Sequence, residues 1–92
     1  MYRVVFSKIS RKSLRKLNNS GRFDKEATGT IINLIAKGEP LEPRCQNHLL
    51  HGEYVGCFEC HIKNDLLLIY ELDEIQKVLT IVNIGSHSEL FG

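Results

Sequence analysis

From residue 54 to residue 84 the chain runs YVGCFECHIKNDLLLIYELDEIQKVLTIVNI, three apolar stretches parted by two short polar links. Residues 54–62 alternate in character, as a half-buried strand does. Residues 66–72 are almost continuously apolar, which predicts a central strand covered on both faces. Residues 77–84 are rich in β-branched side chains, which suit a pleated surface. The links Lys63-Asn64 and Asp73-Glu74 are too short for a crossover, so the three strands form an antiparallel meander.

Toward the N-terminus, Tyr2-Arg-Val-Val-Phe6 reads as a further short strand, and Ser7 is suited to cap a helix behind it. Over residues 8–18 the period becomes helical. Ile9, Leu14 and Leu17 share one face, and Lys8, Arg11, Lys12, Arg15 and Lys16 form a basic stripe on the other. Asn18-Asn-Ser-Gly21 is a turn. A second helix is predicted over residues 23–37, where Phe23, Ala27, Thr30, Ile31, Leu34 and Ile35 recur at helical spacing. Asp24 and Glu26 suit its first turn, and Gly38 the position after its end. Residues 39–53 hold Pro40, Pro43 and Gly52 and read mainly as loop, with Leu49-Leu50 a brief strand. After the meander, Gly85 ends the last strand and Ser86-His-Ser-Glu89 is a capping box opening one helical turn. The order is β-α-α-β-β-β: an α+β domain spanning residues 1–92, with a two-helix hairpin packed on a small antiparallel sheet.

The 92 residues suffice for one hydrophobic core and leave no room for a second domain. At 42% hydrophobic and 25% charged, the composition is that of a globular protein and excludes a disordered chain. The longest apolar run is too short to span a membrane, and no leader is recognisable, so a cytoplasmic location with reduced cysteines is expected. The net charge of +1 conceals a split. Residues 1–22 carry seven basic side chains and no acid, whereas residues 23–92 carry five basic and all eleven acidic ones. Such asymmetry suits either a solvated helix face or an anionic partner for the basic end, nucleic acid or an acidic protein segment.

All four histidines, His48, His51, His61 and His87, lie in the C-terminal half. Alternation along a strand puts Glu59 and His61 on one face, with Asp65 across the next turn. Histidine both accepts and donates protons near neutral pH, and cleavage of an RNA phosphodiester needs both acts. The 2′-hydroxyl must lose a proton and the leaving 5′-oxygen must gain one. Spacing alone leaves this site open beside four scattered histidines. Cys57-Phe-Glu-Cys60-His61 matches a haem-attachment string, but in a strand the two cysteines face opposite ways, which also counts against zinc. Buried free thiols are the expected state of Cys45, Cys57 and Cys60.

Three segments in order carry a resemblance. His48-Leu-Leu-His-Gly52 resembles the H-x-L-x-G segment of YafQ-type toxins. Glu59-Cys-His61-Ile-Lys-Asn-Asp65-Leu-Leu-Leu-Ile-Tyr70 resembles their [DE]-x-H-[IV]-x-x-D-[WL]-[IL]-L-I-Y block, and Gly85-Ser-His87-Ser-Glu-Leu-Phe91 their C-terminal G-[ST]-H-x-x-L-F. The resemblance covers essentially the whole chain. It implies a RelE/ParE-like fold and a ribosome-dependent mRNA endonuclease of a type II toxin–antitoxin pair, acting without metal or other cofactor. It implies catalytic roles for His48, His61, Asp65 and His87, an acidic neighbour in Glu59, and an aromatic near RNA in Phe91. The implied partners are ribosome, mRNA and a cognate antitoxin, DinJ-like or other. In that reading Lys8, Arg11, Lys12, Arg15 and Lys16 meet ribosomal phosphates or an acidic antitoxin segment, and Lys63 helps neutralise the scissile phosphate, against plain solvent exposure. Two positions depart from the pattern: His51 stands where such toxins have glutamine, and Glu59 replaces the commoner aspartate. The alternatives are a ParE-like inhibitor of DNA gyrase, which needs no acid–base cluster, and an inactive toxin serving only as an antitoxin-bound corepressor.

Overall fold

The computed structural model describes residues 1–21 and 23–92; Arg22, one of the seven basic residues near the N-terminus, lies outside the described residues. The chain runs β1 (Arg3–Phe6), α1 (Lys8–Ser20), α2 (Lys25–Ala36), β2 (His48–Leu49), β3 (Phe58–Lys63), β4 (Leu66–Asp73), β5 (Val78–Gly85) and α3 (His87–Phe91). Short 3-10 turns at Pro43–Cys45 and Gly52–Tyr54 flank β2.

Local chemistry sets these boundaries. Ser7 leaves β1 extended, accepts the backbone N–H of Ser10 at 3.0 Å, and donates its own hydroxyl to Val82 O at 2.7 Å. One side chain therefore caps α1 and ties it to β5. Gly21, at φ 74°, ends α1 in a left-handed turn that glycine adopts without strain. Asp24 then caps α2, accepting from Ala27 N at 3.0 Å, so the helix begins two residues later than its apolar period suggests.

The α+β architecture is as expected, with a helical hairpin against a five-stranded sheet ordered β1-β5-β4-β3-β2. The β3–β4–β5 pairings are antiparallel, as the two tight links require. β1, however, runs parallel to β5, with Arg3 opposite Val78 and Phe6 opposite Ile81, so the sheet is mixed. No short turn joins β1 to any strand, and β5 is reached only after both helices and strands β2 to β4, so nothing forces the antiparallel direction that a tight link would.

β3 also departs from expectation. The strand predicted over residues 54–62 starts only at Phe58, because Gly52 and Gly56 take positive φ (73° and 89°) and curl the preceding segment. The brief strand expected at Leu49-Leu50 pairs one residue earlier, with His48 opposite Glu59 and Leu49 opposite Phe58.

Alternation in β4 splits the core between two faces. Leu68 and Tyr70 join Leu17, Ile31, Ile35, Cys60, Ile62, Leu79 and Ile81 beneath the helices. Leu67 and Ile69 point the other way, to a smaller cluster with Cys57 and Leu90. That is why the 66–70 run is apolar at every position: both sides of β4 are covered. The smaller cluster leaves room on its face, and the chemistry-bearing side chains gather there.

Candidate active site

Glu59 is the organising residue. It lies on β3 between Phe58 and Cys60, is only 5% exposed, and points away from the helices, as its alternation with Cys60 requires. Its Oε1 lies 3.4 Å from His48 Nε2 and 3.9 Å from His61 Nε2. His61 is two residues along the same strand, and His48 comes from the directly paired position of β2. The two imidazoles reach solvent, half and one third exposed, while the carboxylate between them is buried. His48 is held from behind as well, its Nδ1 lying 2.6 Å from Gln46 O. A carbonyl only accepts, so Nδ1 carries a hydrogen there and Nε2 is the nitrogen turned to Glu59.

Asp65 and His87 lie at the adjoining end of the sheet. Asp65 sits in the β3–β4 turn, and its Oδ1 accepts the backbone N–H of His87 at 2.9 Å. Asp65 thus meets His87 through the main chain, fixing where α3 starts. The start of α3 is secured a second time. Ser86 Oγ accepts from Glu89 N at 3.2 Å, and Glu89 Oε1 accepts from Ser86 N at 2.8 Å, the capping box read in the sequence. Leu90 anchors the helix in the smaller core cluster. The exposed His87 ring packs on Phe91, with centroids 5.1 Å apart, and makes no hydrogen bond or ion pair among the described residues. Phe91 in turn stands edge-on to Tyr54 at 5.8 Å.

The structure therefore joins His48, Glu59 and His61 by direct contact, joins Asp65 to His87 through the main chain, and joins His87 to Phe91 by ring contact. His51 is exposed at the start of the Gly52–Tyr54 turn and makes no side-chain hydrogen bond capping it. Two participants escaped the sequence reading. Tyr54 frames Phe91, and its hydroxyl donates to Leu90 O at 3.4 Å. Asn47 accepts the buried Tyr70 hydroxyl at 2.7 Å and so ties the residue before His48 to the core. Neither contact leaves a periodic trace, since each depends on how a loop closes over the sheet.

The basic residues divide. Lys63 is half exposed, and its Nζ lies 3.2 Å from Asp24 Oδ2 at the start of α2. Lys16 approaches Glu89 of α3 at 3.9 Å. Lys8, Arg11, Lys12 and Arg15 are exposed along α1 with no acidic partner among the described residues.

The cysteines are buried, and free. Cys60 faces the helices and Cys57 the opposite cluster, as strand geometry requires. Burial, with Cys45 and Glu59 nearby, pushes the Cys60 thiol up to about 12. Among the described residues no group of three or more histidine, cysteine or acidic side chains is arranged to hold a metal ion. No helix among them is long and apolar enough to cross a membrane.

The chain matches the family described as bacterial toxin of type II toxin–antitoxin system, YafQ, over residues 2–92, and it belongs to that family. It is 37% identical over 67 residues to a putative toxin YafQ of Haemophilus influenzae, a match covering 66% of this chain and 64% of that protein. To the mRNA interferase toxin YafQ of Escherichia coli it is 36% identical over 59 residues, 64% of this chain and 62% of that protein. These matches span just under two thirds of the curated relatives' lengths. A metal-bound toxin from Helicobacter pylori superposes with a TM-score of 0.91 at 37% identity, over 99% of this chain and 100% of the other. YafQ in the E. coli DinJ–YafQ toxin–antitoxin complex superposes at 0.86 and 25% identity, over 99% and 98%.

Proposed function

We propose that this chain is a ribosome-dependent mRNA endonuclease, one toxin domain of residues 1–92, that acts in the cytoplasm and is silenced by a cognate antitoxin. The observation that carries the reading is the buried Glu59 carboxylate shared by two solvent-facing histidines, with His87 and Phe91 on the neighbouring rim. Among its relatives, the E. coli protein is named an mRNA interferase, and YafQ has been crystallised with DinJ.

Cleavage needs no group beyond the histidines for proton transfer. One imidazole takes the 2′-hydroxyl proton as the oxygen attacks phosphorus. Another gives a proton to the departing 5′-oxygen, leaving a 2′,3′-cyclic phosphate. His87 supplies one of these groups, and His48 or His61 the other. Glu59 orients the pair on β2 and β3. Asp65 acts at one remove, by fixing the backbone of His87. Phe91 offers a ring face to a base. The free cations of α1 approach ribosomal RNA, with an affinity that falls as salt rises. Lys63, half exposed beside Asp24, helps neutralise the scissile phosphate.

The test is induced expression of the wild type and His87→Ala, with growth followed and mRNA ends mapped by primer extension. Growth arrest with cuts in translated mRNA, both lost in His87→Ala at equal soluble level, is the expected result. Growth arrest with mRNA intact overturns the reading and turns attention to DNA gyrase.

A further inference from the structure

Residues 51–56, between β2 and β3, are exposed with one exception: Tyr54 turns inward and is partly buried. Glycines stand two residues to either side of it. Gly52 and Gly56 take positive φ, 73° and 89°, and a Cβ built at either would meet nothing within 4 Å. Backbone conformation, not crowding, therefore calls for glycine at both. Val55 N donates to Gly52 O at 3.1 Å, Cys57 N to Tyr54 O at 2.9 Å, and Leu50 N to Cys57 O at 2.8 Å, which closes the loop. The two left-handed residues and these main-chain bonds fix where Tyr54 points.

Anchoring the loop does not require a ring. Leu50 packs on the same small cluster of Cys57, Leu67, Ile69 and Leu90, and an aliphatic side chain at position 54 would do likewise. What the ring adds is its contact with Phe91, at 5.8 Å between centroids and 85° between planes. The Tyr54 hydroxyl donates to Leu90 O at 3.4 Å, in the last turn of α3, where carbonyls lack partners along the helix. A second ring lies against Phe91, that of His87, 5.1 Å away.

Phe91 is the last residue of α3 and remains 41% exposed. A side chain so placed ordinarily keeps its rotamers free, and ordering it on binding costs affinity. Here Tyr54 and His87 hold it in the free protein while part of the ring stays open to solvent. A ring ordered in advance and left open is a stacking platform for a base.

We propose that Tyr54 is a positioning residue for RNA. It holds the Phe91 ring in the orientation that stacks on a base, and it does not touch the base itself. The base belongs to a nucleotide flanking the scissile phosphate, because His87, which packs on the same ring, acts at that phosphate. The proposal rests on the ribonuclease reading given above and adds a residue outside its acid–base set.

The experiment measures kcat/KM for cleavage of a defined mRNA on ribosomes, with melting temperatures beside it. Wild type, Tyr54→Leu, Tyr54→Met, Tyr54→Phe, Phe91→Leu and the double variant Tyr54→Leu/Phe91→Leu are compared. Tyr54→Leu is expected to lower kcat/KM about two- to tenfold, the span of an aromatic pair. Tyr54→Phe, which keeps the ring, is expected to restore most of that loss. In the Phe91→Leu background Tyr54→Leu is expected to cost under about twofold more, because it acts through the ring already removed. The same loss in both backgrounds means that Tyr54 meets RNA directly or only holds its loop, and overturns the proposal. So does unchanged kcat/KM in Tyr54→Leu, or loss of the folded state in both Tyr54→Leu and Tyr54→Met. Unchanged kcat/KM in Phe91→Leu removes the stacking platform and this proposal with it, and leaves the ribonuclease reading standing. Failure of the wild type to cut ribosome-bound mRNA overturns that reading itself, and this proposal with it.

Discussion

Glu59 serves two histidines at once. A carboxylate 5% exposed is seldom left without partners, and the imidazoles of His48 and His61 lie beside it here. Glu59→Gln keeps the shape and one acceptor oxygen but removes the charge. It should leave the fold intact and slow mRNA cleavage at least tenfold, whereas His61→Ala or His87→Ala should cost about 10²–10⁴-fold, the usual range for a lost acid or base. Cleavage assays on purified, folded variants check this. Strand alternation was enough to place Glu59 beside His61, because it needs no tertiary information. The His48 contact was not readable, since it depends on a two-residue pairing between β2 and β3. The cysteines make a second test at this scale. All three are buried, and the Cys60 thiol, pushed up to about 12, stays protonated throughout the neutral range. Thiol reagents at pH 8 should therefore leave the native protein nearly unlabelled and modify three cysteines in denaturant, as counted by mass spectrometry. Rapid native labelling of Cys60 would contradict the packing described.

Among the elements, α3 has five residues and depends on its cap more than on its length. Ser86→Ala removes one half of the capping box and should destabilise the protein by about 1 kcal/mol. Cleavage should fall more than that small loss of stability accounts for, because the frayed turn carries His87 and Phe91. Thermal melts beside activity assays separate the two effects. α2 has a different dependence. Its cap, Asp24, has a carboxyl lowered from the ordinary carboxylate range, first by the Ala27 backbone N–H and then by Lys63. A carboxyl depressed in the folded state stabilises the fold above its unfolded pKa, and that contribution is lost as pH falls through the folded one. Asp24→Asn keeps a capping oxygen without the titration. The wild type should thus lose stability more steeply than Asp24→Asn below the ordinary carboxylate range, a difference visible in denaturation midpoints across an acid series. Element types followed from periodicity and cap residues. Element starts were less legible: Asp24 reads equally well as cap or first turn, and Gly56 hides inside an alternating pattern while bending the chain out of the sheet.

For the molecule as a whole, the sheet separates two tasks. One face packs against the α1–α2 hairpin, whose outer surface holds the uncompensated cations. The other carries the histidines above a small cluster under α3. Tight turns made the antiparallel meander legible from the sequence, but the parallel placement of β1 was not, because no local signal records which edge a distant strand joins. The three motifs held the residues of the candidate site in order, yet their grouping into separate contacts, with Asp65 acting on the His87 main chain, emerges only in three dimensions. The central claim is that this arrangement cleaves mRNA through its own 2′-hydroxyl by histidine acid–base catalysis. The measurement that tests it most directly is the end chemistry of fragments cut by the purified chain on ribosomes programmed with a defined mRNA. The account predicts a 2′,3′-cyclic phosphate upstream, a 5′-hydroxyl downstream, and no cut where the scissile nucleotide is 2′-deoxy. Fragments bearing 3′-hydroxyl and 5′-phosphate ends, or cleavage that persists at the deoxy nucleotide, would contradict it.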